Sequence, residues 1–180
     1  MTNRISADSL LAVAARIGFR KASMEDLARA TGVSRQALYN RFGSKDALAD
    51  WAVQSRIDRS LAETLAHLDN PAAALVARLL AALDAWVGQH MATLRASPHG
   101  IDVVPMAAPA PDEAVRAAER KLVAAMANAI RRGGPGTAVA RAGSLAQALC
   151  WTAKGLVHAA PDHATFRREL ELIVGAVLAR

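Results

Sequence analysis

The side chains with the clearest chemistry lie close together in the first quarter of this 180-residue chain. Arg35, Gln36 and Asn40 fall on what would be the outer side of one short helix. Arg offers a paired donor that fits guanine, and the carboxamides of Gln and Asn fit adenine in the same bidentate manner. This set predicts a helix that contacts base edges, each good pair contributing roughly 1–3 kcal/mol of discrimination.

Two further side chains are suited to phosphate. Tyr39 places an aromatic hydroxyl at a position where core packing does not require one, and a phosphate contact would account for it. Lys45 stands at the amino end of the following helix, where its own charge and the helix dipole both favour an anion. We expect both residues to contact the DNA backbone and to position the protein without reading sequence.

The elements that must hold these side chains are two short helices with a tight turn between them. Ser23 begins the first, with Asp26 three residues on in an arrangement resembling a capping box. Gly32 can take the positive φ that the turn demands, and Ser34 begins the second helix, which ends before Gly43. The stretch therefore predicts a helix-turn-helix.

Residues 5–48 resemble the N-terminal domain of the TetR (tetracycline-repressor-like) family. The resemblance rests on Gly18-Phe19, Ala28, Gly32-Val33-Ser34, Leu38-Tyr39, Phe42, Ser44-Lys45 and Leu48. It implies phosphate contacts from Ser23, Tyr39 and Lys45, and base contacts in the major groove from Arg35, Gln36 and Asn40. The complete candidate DNA-binding set is Ser23, Ser34, Arg35, Gln36, Tyr39, Asn40 and Lys45.

The composition predicts an all-α protein. Hydrophobic residues make up 53% and aromatics only 4%, and Ala and Leu, which suit packed helices, dominate the apolar fraction. We expect a three-helix helix-turn-helix domain at residues 1–47, joined to a helical effector-binding and dimerisation domain at residues 48–180. Prolines at 98–112 predict a loop or a broken helix. The last two helices are predicted at 137–159 and 162–179, and the resemblance implies that they pair with their copies in a homodimer as a four-helix bundle.

The middle helices carry a candidate ligand cavity. Met, Trp and His side chains recur at helical spacing there, and apolar pockets with a few polar groups are the common form of small-molecule sites. The candidate residues are Trp86, His90, Met91, Met106, Met126 and Trp151. The alternative interpretation is that they form an ordinary core. The effector expected from this lining is a small apolar or amphipathic molecule.

Several classes of function receive no support from the sequence. The net charge of +6, densest in the first fifty residues, favours a polyanionic partner. Neither a Gly-x-Ser-x-Gly pattern nor a phosphate-binding loop is present, so we expect no enzyme and no cofactor. His158 and His163 lack the companions that a metal site needs. The single cysteine, Cys150, excludes an intrachain disulfide. No apolar run indicates a signal peptide or a membrane span, so a cytoplasmic protein is expected.

The hypothesis from the sequence is a DNA-binding transcriptional regulator, a repressor released from a palindromic double-stranded operator by a small-molecule effector. Two alternatives stay open at this stage. The same residues would serve a transcriptional activator. A helical ligand-carrying or protein-interaction module with a vestigial DNA-binding head would also have this pattern, but would bind DNA weakly and with little salt dependence.

Overall fold

A computed structural model describes residues 5–108 and 112–179. Within these ranges the chain is all-α, with eleven α-helices, two 3₁₀ turns and no strand, which confirms the predicted fold class. The α-helices are α1 (Ala7–Ile17), α2 (Met24–Thr31), α3 (Arg35–Phe42), α4 (Lys45–Leu68), α5 (Leu75–Trp86), α6 (Met91–Ala96), α7 (Gly100–Val103), α8 (Glu113–Gly133), α9 (Gly136–Val139), α10 (Ala142–Ala159) and α11 (His163–Leu178).

The first of two compact units comprises the described residues up to Asp58 together with Thr93–Pro105. In it, α1 packs against α2 and α7, and α2 packs against α3. Leu10, Leu27, Leu38 and Leu48 are fully buried. Burying a Leu side chain stabilises a fold by roughly 1.5–3 kcal/mol. The short helices α2 and α3 are therefore held by a common apolar core.

The second unit comprises Arg59–Ala92 and the described residues from Met106 onward. In it, α10 packs against α8 and α11, and α11 also packs against α5. Leu79, Leu83 and Phe166 are fully buried in this unit. Helix α4 contributes residues to both units, up to Asp58 in the first and from Arg59 in the second. The predicted domain boundary after residue 47 stays a prediction.

One predicted helix is divided in the structure, and one predicted break is present. The predicted helix 137–159 is divided into α9 and α10, because Arg141 leaves helical geometry with φ −114° and ψ 15°. The proline-rich stretch is broken as predicted, and it holds α7 and the 3₁₀ turn Pro105–Ala107. Pro109 and Pro111 lie outside the described residues. None of the helices in the described ranges has the length and apolarity to cross a membrane.

Candidate DNA-binding surface

The start of α2 is fixed by a reciprocal cap. The Asp26 backbone N–H donates to Ser23 Oγ at 3.2 Å, and the Ser23 backbone N–H donates to Asp26 Oδ2 at 3.0 Å. The Ser23 hydroxyl donates to the same Oδ2 at 2.7 Å. These hydrogen bonds from Ser23, the side-chain one first, hold the pKa of Asp26 below its ordinary value. Ser23 is exposed, so its hydroxyl caps the helix at a surface position.

The turn between α2 and α3 depends on one glycine. Gly32 adopts φ 68° and ψ 22°, in the left-handed region that residues with a Cβ rarely occupy. Ser34 then begins α3 by accepting a hydrogen bond from the Ala37 backbone N–H at 3.1 Å. Leu38 is the buried residue of α3 and fixes which side of the helix faces the core. The remainder of the short helix is therefore turned toward the surface.

The three candidate base-reading side chains are all exposed on α3. Gln36 Nε2 donates to Asn40 Oδ1 at 2.8 Å, one helical turn on. The Arg35 guanidinium lies 5.4 Å from the centre of the Tyr39 ring. Such contacts restrict the rotamers of long polar side chains before a partner arrives, which lowers the entropic cost of binding. The carboxamides keep further donors and acceptors for a base edge.

Two of the candidate phosphate ligands, Tyr39 and Lys45, are half-buried. Tyr39 lies beside the Arg35 guanidinium, so its ring has an aromatic–cation partner as well as a hydroxyl. Lys45 Nζ donates to the carbonyl oxygens of Arg20 at 3.0 Å and Ala22 at 3.2 Å. An ammonium group has three donors, so these bonds leave one for a phosphate. Lys45 thus ties the start of α4 to the segment before α2, a contact that the sequence does not predict.

Arg41 has a setting that sequence reasoning missed. Its guanidinium lies 5.3 Å from the Phe42 ring centre and 5.7 Å from that of Trp51, and the two rings are 5.1 Å apart. Cations over aromatic faces are held electrostatically. Arg41 is exposed, so this stack presents a positive charge at the carboxyl end of α3. Phe42 and Trp51 are nine residues apart with Gly43 between them, so their positions in the sequence do not indicate that their rings pack together.

The candidate ligand residues separate into two groups. Trp86, Met91, Met106 and Met126 are at most 2% exposed and His90 is 9% exposed, so these five are interior to the second unit. Trp151 is 66% exposed and lies on the surface of α10. It does not share an interior with the other five. Sequence periodicity could not show this, because a Trp at helical spacing is more often buried than exposed.

The interior group includes polar atoms that an apolar core does not need. His90 Nε2 lies 3.3 Å from Ser60 Oγ, and both side chains are buried. The Thr64 hydroxyl donates to the Ala82 carbonyl at 3.3 Å. Trp86 Nε1 is buried and has no hydrogen-bond partner among the described residues. A buried donor without a partner is costly, so this indole N–H is a candidate anchor for a ligand acceptor.

Other chemistry has little support in the described ranges. They hold no group of three His, Cys, Asp or Glu side chains placed to bind a metal ion. Burial, with the Glu119 carboxylate adding to it, raises the pKa of the Cys150 thiol to about 12. A thiol needs its thiolate form to react, so Cys150 behaves as a small buried hydrophobe.

Comparison with known proteins bears directly on the α1–α4 region. Residues 8–51 match the sequence model of the family described as bacterial regulatory proteins, tetR family. This region is therefore similar in sequence to the DNA-binding region of that family. It contains the whole of α2 and α3 and every candidate DNA-binding residue. The resemblance inferred from the sequence is therefore confirmed.

Solved structures extend the likeness in fold along nearly the whole chain. A transcriptional regulator from Rhodococcus sp. Rha1 has a TM-score of 0.67 at 23% identity, covering 96% of this chain and 94% of its own. A TetR-like regulator from the same source has a TM-score of 0.66 at 22% identity, covering 96% and 93%. The fatty acid degradation regulator FadR from Bacillus halodurans has a TM-score of 0.60 at 16% identity, covering 94% and 96%. No curated protein matches the sequence.

The chain thus has an N-terminal region similar in sequence to the tetR family, and it shares its fold with solved TetR-like transcriptional regulators. The predicted all-α architecture, a helix-turn-helix domain followed by a helical domain, is confirmed in those terms. The roles of the individual site residues stay predictions.

Proposed function

We propose that this protein is a homodimeric, sequence-specific repressor that leaves its operator when a small molecule binds, acting by binding and not by catalysis. The observation that carries the proposal is the exposed set Arg35, Gln36 and Asn40 on α3, within the region similar in sequence to the tetR family. Base edges in the major groove take these side-chain types in bidentate pairs. Ser23, Ser34, Tyr39 and Lys45 would contact the backbone around them.

Dimerisation is supported by the outer faces of α10 and α11. Trp151 and Leu172 are 66% and 63% exposed, which is unusual for large apolar side chains. On α11, Leu172 is followed one turn later by Ala176, and on α10 Trp151 is flanked by the exposed small residues Ala148 and Gly155. Small residues let two helices approach closely. We propose that these faces pair with their copies as a four-helix bundle.

A two-fold dimer imposes a rule on the operator. Its two recognition helices must enter the major groove at half-sites about one helical turn apart, roughly 34–36 Å. The operator should therefore be a near-palindrome. The effector is proposed to act through α4, which contributes residues to both units, and to be a small apolar or amphipathic molecule. The buried and mostly apolar side chains of the second unit, Trp86 and Met126 among them, support an effector of that character.

Fluorescence anisotropy with a labelled duplex from the promoter of the chain's own gene tests the proposal. Gln36→Ala should reduce the preference over a scrambled duplex about 5- to 150-fold, the equivalent of roughly 1–3 kcal/mol per base pair contact. Gln54→Ala is a matched control, because Gln54 is also exposed and donates to a residue one turn on, Asp58, at 2.9 Å. Equal binding of both duplexes by the unaltered protein, or equal effects of the two substitutions, would contradict the proposal.

A further inference from the structure

The short turn between α1 and α2 carries two adjacent cations, Arg20 and Lys21, whose side chains are exposed. Neither side chain has a hydrogen bond or an ion pair within the described part of the chain. A cleft of about 450 Å³ adjoins them, and the carboxylate in its lining, Asp102, already lies 3.5 Å from His99 Nδ1. Two neighbouring like charges repel each other when no acid lies between them. The pair therefore does not stabilise the fold, and it is available to an external anion.

The backbone of this turn is held at both ends. The Ala22 backbone N–H donates to the Gly18 carbonyl oxygen at 3.0 Å, and both residues are buried. Lys45 Nζ, at the start of α4, donates to the carbonyl oxygens of Arg20 and Ala22. All of these bonds to the turn use its backbone, so the side chains of Arg20 and Lys21 stay at the surface. Cations on a fixed turn lose less entropy when they bind than cations on a mobile segment.

The bonds from Lys45 also place the turn beside the proposed DNA-binding surface. A phosphate oxygen that takes the remaining Lys45 proton would lie about 2.7–2.9 Å from Nζ. Since Nζ is 3.0 Å from the Arg20 carbonyl oxygen, that phosphate oxygen would be within about 6 Å of the turn. The long side chains of Arg20 and Lys21 can cover such a distance. A strand of DNA carries a phosphate roughly every 3.4 Å along the helix axis, so further phosphates follow close by.

The start of α2 needs positive charge if DNA passes there. The Ser23 hydroxyl donates to Asp26 Oδ2 at 2.7 Å, and while that bond is in place Ser23 has no proton for a phosphate. The Asp26 carboxylate adds a negative charge at the same edge, which repels a phosphate. Arg20 and Lys21 directly precede this cap in the chain and supply two compensating charges.

We propose that the turn between α1 and α2 is a second contact with the DNA backbone, in which Arg20 and Lys21 each bind a phosphate. The inference rests on the proposed function, because it requires a protein that binds duplex DNA. The ligand is the phosphodiester backbone and no base is read, so the turn adds the same affinity to every sequence. The DNA-binding surface then extends from α3 and the start of α4 to the end of α1.

Fluorescence anisotropy of the full-length protein with a labelled duplex of arbitrary sequence, at several salt concentrations, tests the proposal without knowledge of the operator. Arg20→Gln and Lys21→Gln should each reduce the slope of log affinity against log salt by about 1, and the double variant by about 2. These substitutions keep the carbonyl groups to which Lys45 donates, so the turn should retain its structure.

Lys121→Gln is the matched control for the loss of charge. Lys121 is also an exposed lysine without a partner in the described ranges, but it lies on α8 in the second unit. We expect its slope to equal that of the unaltered protein. An unchanged slope in the double variant of Arg20 and Lys21, or a reduction no larger than that of Lys121→Gln, would overturn the proposal.

Two further measurements distinguish a backbone contact from other uses of the same charges. The double variant should keep the unaltered preference for the promoter duplex over a scrambled one, and a changed preference would show a base contact instead. Inorganic pyrophosphate titrated calorimetrically into the DNA-free protein should give no saturable heat, whereas binding that the double variant loses would assign the charges to a free anion. DNA binding without salt dependence in the unaltered protein would overturn the proposed function as well, but a steep slope that the double variant shares refutes this inference alone.

Discussion

Gly18 closes α1 in a conformation that should make it one of the least replaceable residues of the first unit. Its backbone has φ 79° and ψ 143°, close to a region that is essentially restricted to glycine. A Cβ there would also lie 2.9 Å from His99 Cε1 and 3.1 Å from His99 Nδ1, so the imidazole ring lies almost flat over the glycine. Gly18→Ala should therefore lower the free energy of unfolding in two separable ways, through backbone strain at residue 18 and through the clash of the new Cβ with His99.

The size of each cost follows from this geometry. Holding alanine at a glycine-only backbone conformation costs about 1–3 kcal/mol of the free energy of unfolding. Moving the His99 ring away by several tenths of an ångström pushes its side chain off its rotamer, which costs about 0.5–1.5 kcal/mol more. In a His99→Ala background only the first cost should remain. Gly43→Ala supplies a control, since Gly43 has φ 76° but an added Cβ would meet nothing within 4 Å.

Urea unfolding followed by far-ultraviolet circular dichroism, at one protein concentration, measures these differences. We expect Gly18→Ala to destabilise the unaltered protein by more than it destabilises His99→Ala, and Gly43→Ala to cost the same in both backgrounds. The coupling between Gly18 and His99 should be about 0.5–1.5 kcal/mol. A Gly18→Ala cost that does not depend on residue 99 would refute the contact between this ring and the end of α1.

Three further predictions address the DNA surface, the cap of α2 and the dimer. Lys45→Met should weaken binding to all duplexes and reduce the slope of log affinity against log salt by about 1, and an unchanged slope would remove Lys45 from the phosphate contacts. The pKa of Asp26 is lowered in the folded state, so its carboxylate stabilises the fold at pH values above the ordinary pKa of a carboxyl group. This contribution is lost as the pH falls through the lowered pKa. The difference in urea midpoint between Asp26→Asn and the unaltered protein should therefore shrink between about pH 6 and about pH 3, whereas a constant difference would contradict the cap. Leu172→Glu should convert the dimer to a monomer, as measured by light scattering after gel filtration, whereas Glu171→Gln, a change at the adjacent exposed residue, should not. A dimer that persists in Leu172→Glu would show that the α11 face is not the dimer interface.

The helices around the DNA-binding surface could be predicted because their limits are local. Ser23 and Ser34 cap α2 and α3 as the sequence indicates, and Gly32 provides the left-handed turn between them. Each of these signals acts within three or four residues along the chain. Helix α4 ends at Leu68, shortly before Asn70-Pro71, a dipeptide that is typical of a turn.

The features that were missed depend on distant partners or on very small side chains. The bonds from Lys45 to carbonyls more than twenty residues earlier have no pattern in the sequence. On α10 the spacing of Leu145, Leu149, Thr152 and Leu156 predicts one buried face. Leu149 is buried, but the other three are half-buried, and Ala146 and Ala153 are fully buried. Alanine is so frequent in this chain that it does not mark a face. Because the buried face of α10 is turned toward Ala146 and Ala153, Trp151 lies on the exposed side of the helix.

Selection of duplexes from a random library by the full-length protein tests the central claim most directly. The predicted result is a near-palindromic sequence with half-sites about one helical turn apart, roughly 34–36 Å between centres. Selection with Asn40→Ala should relax the preference at matching positions of both half-sites and leave the spacing unchanged. Recovery of no common sequence, or of a single unrepeated site that Asn40→Ala selects equally well, would contradict a dimer that reads DNA through α3.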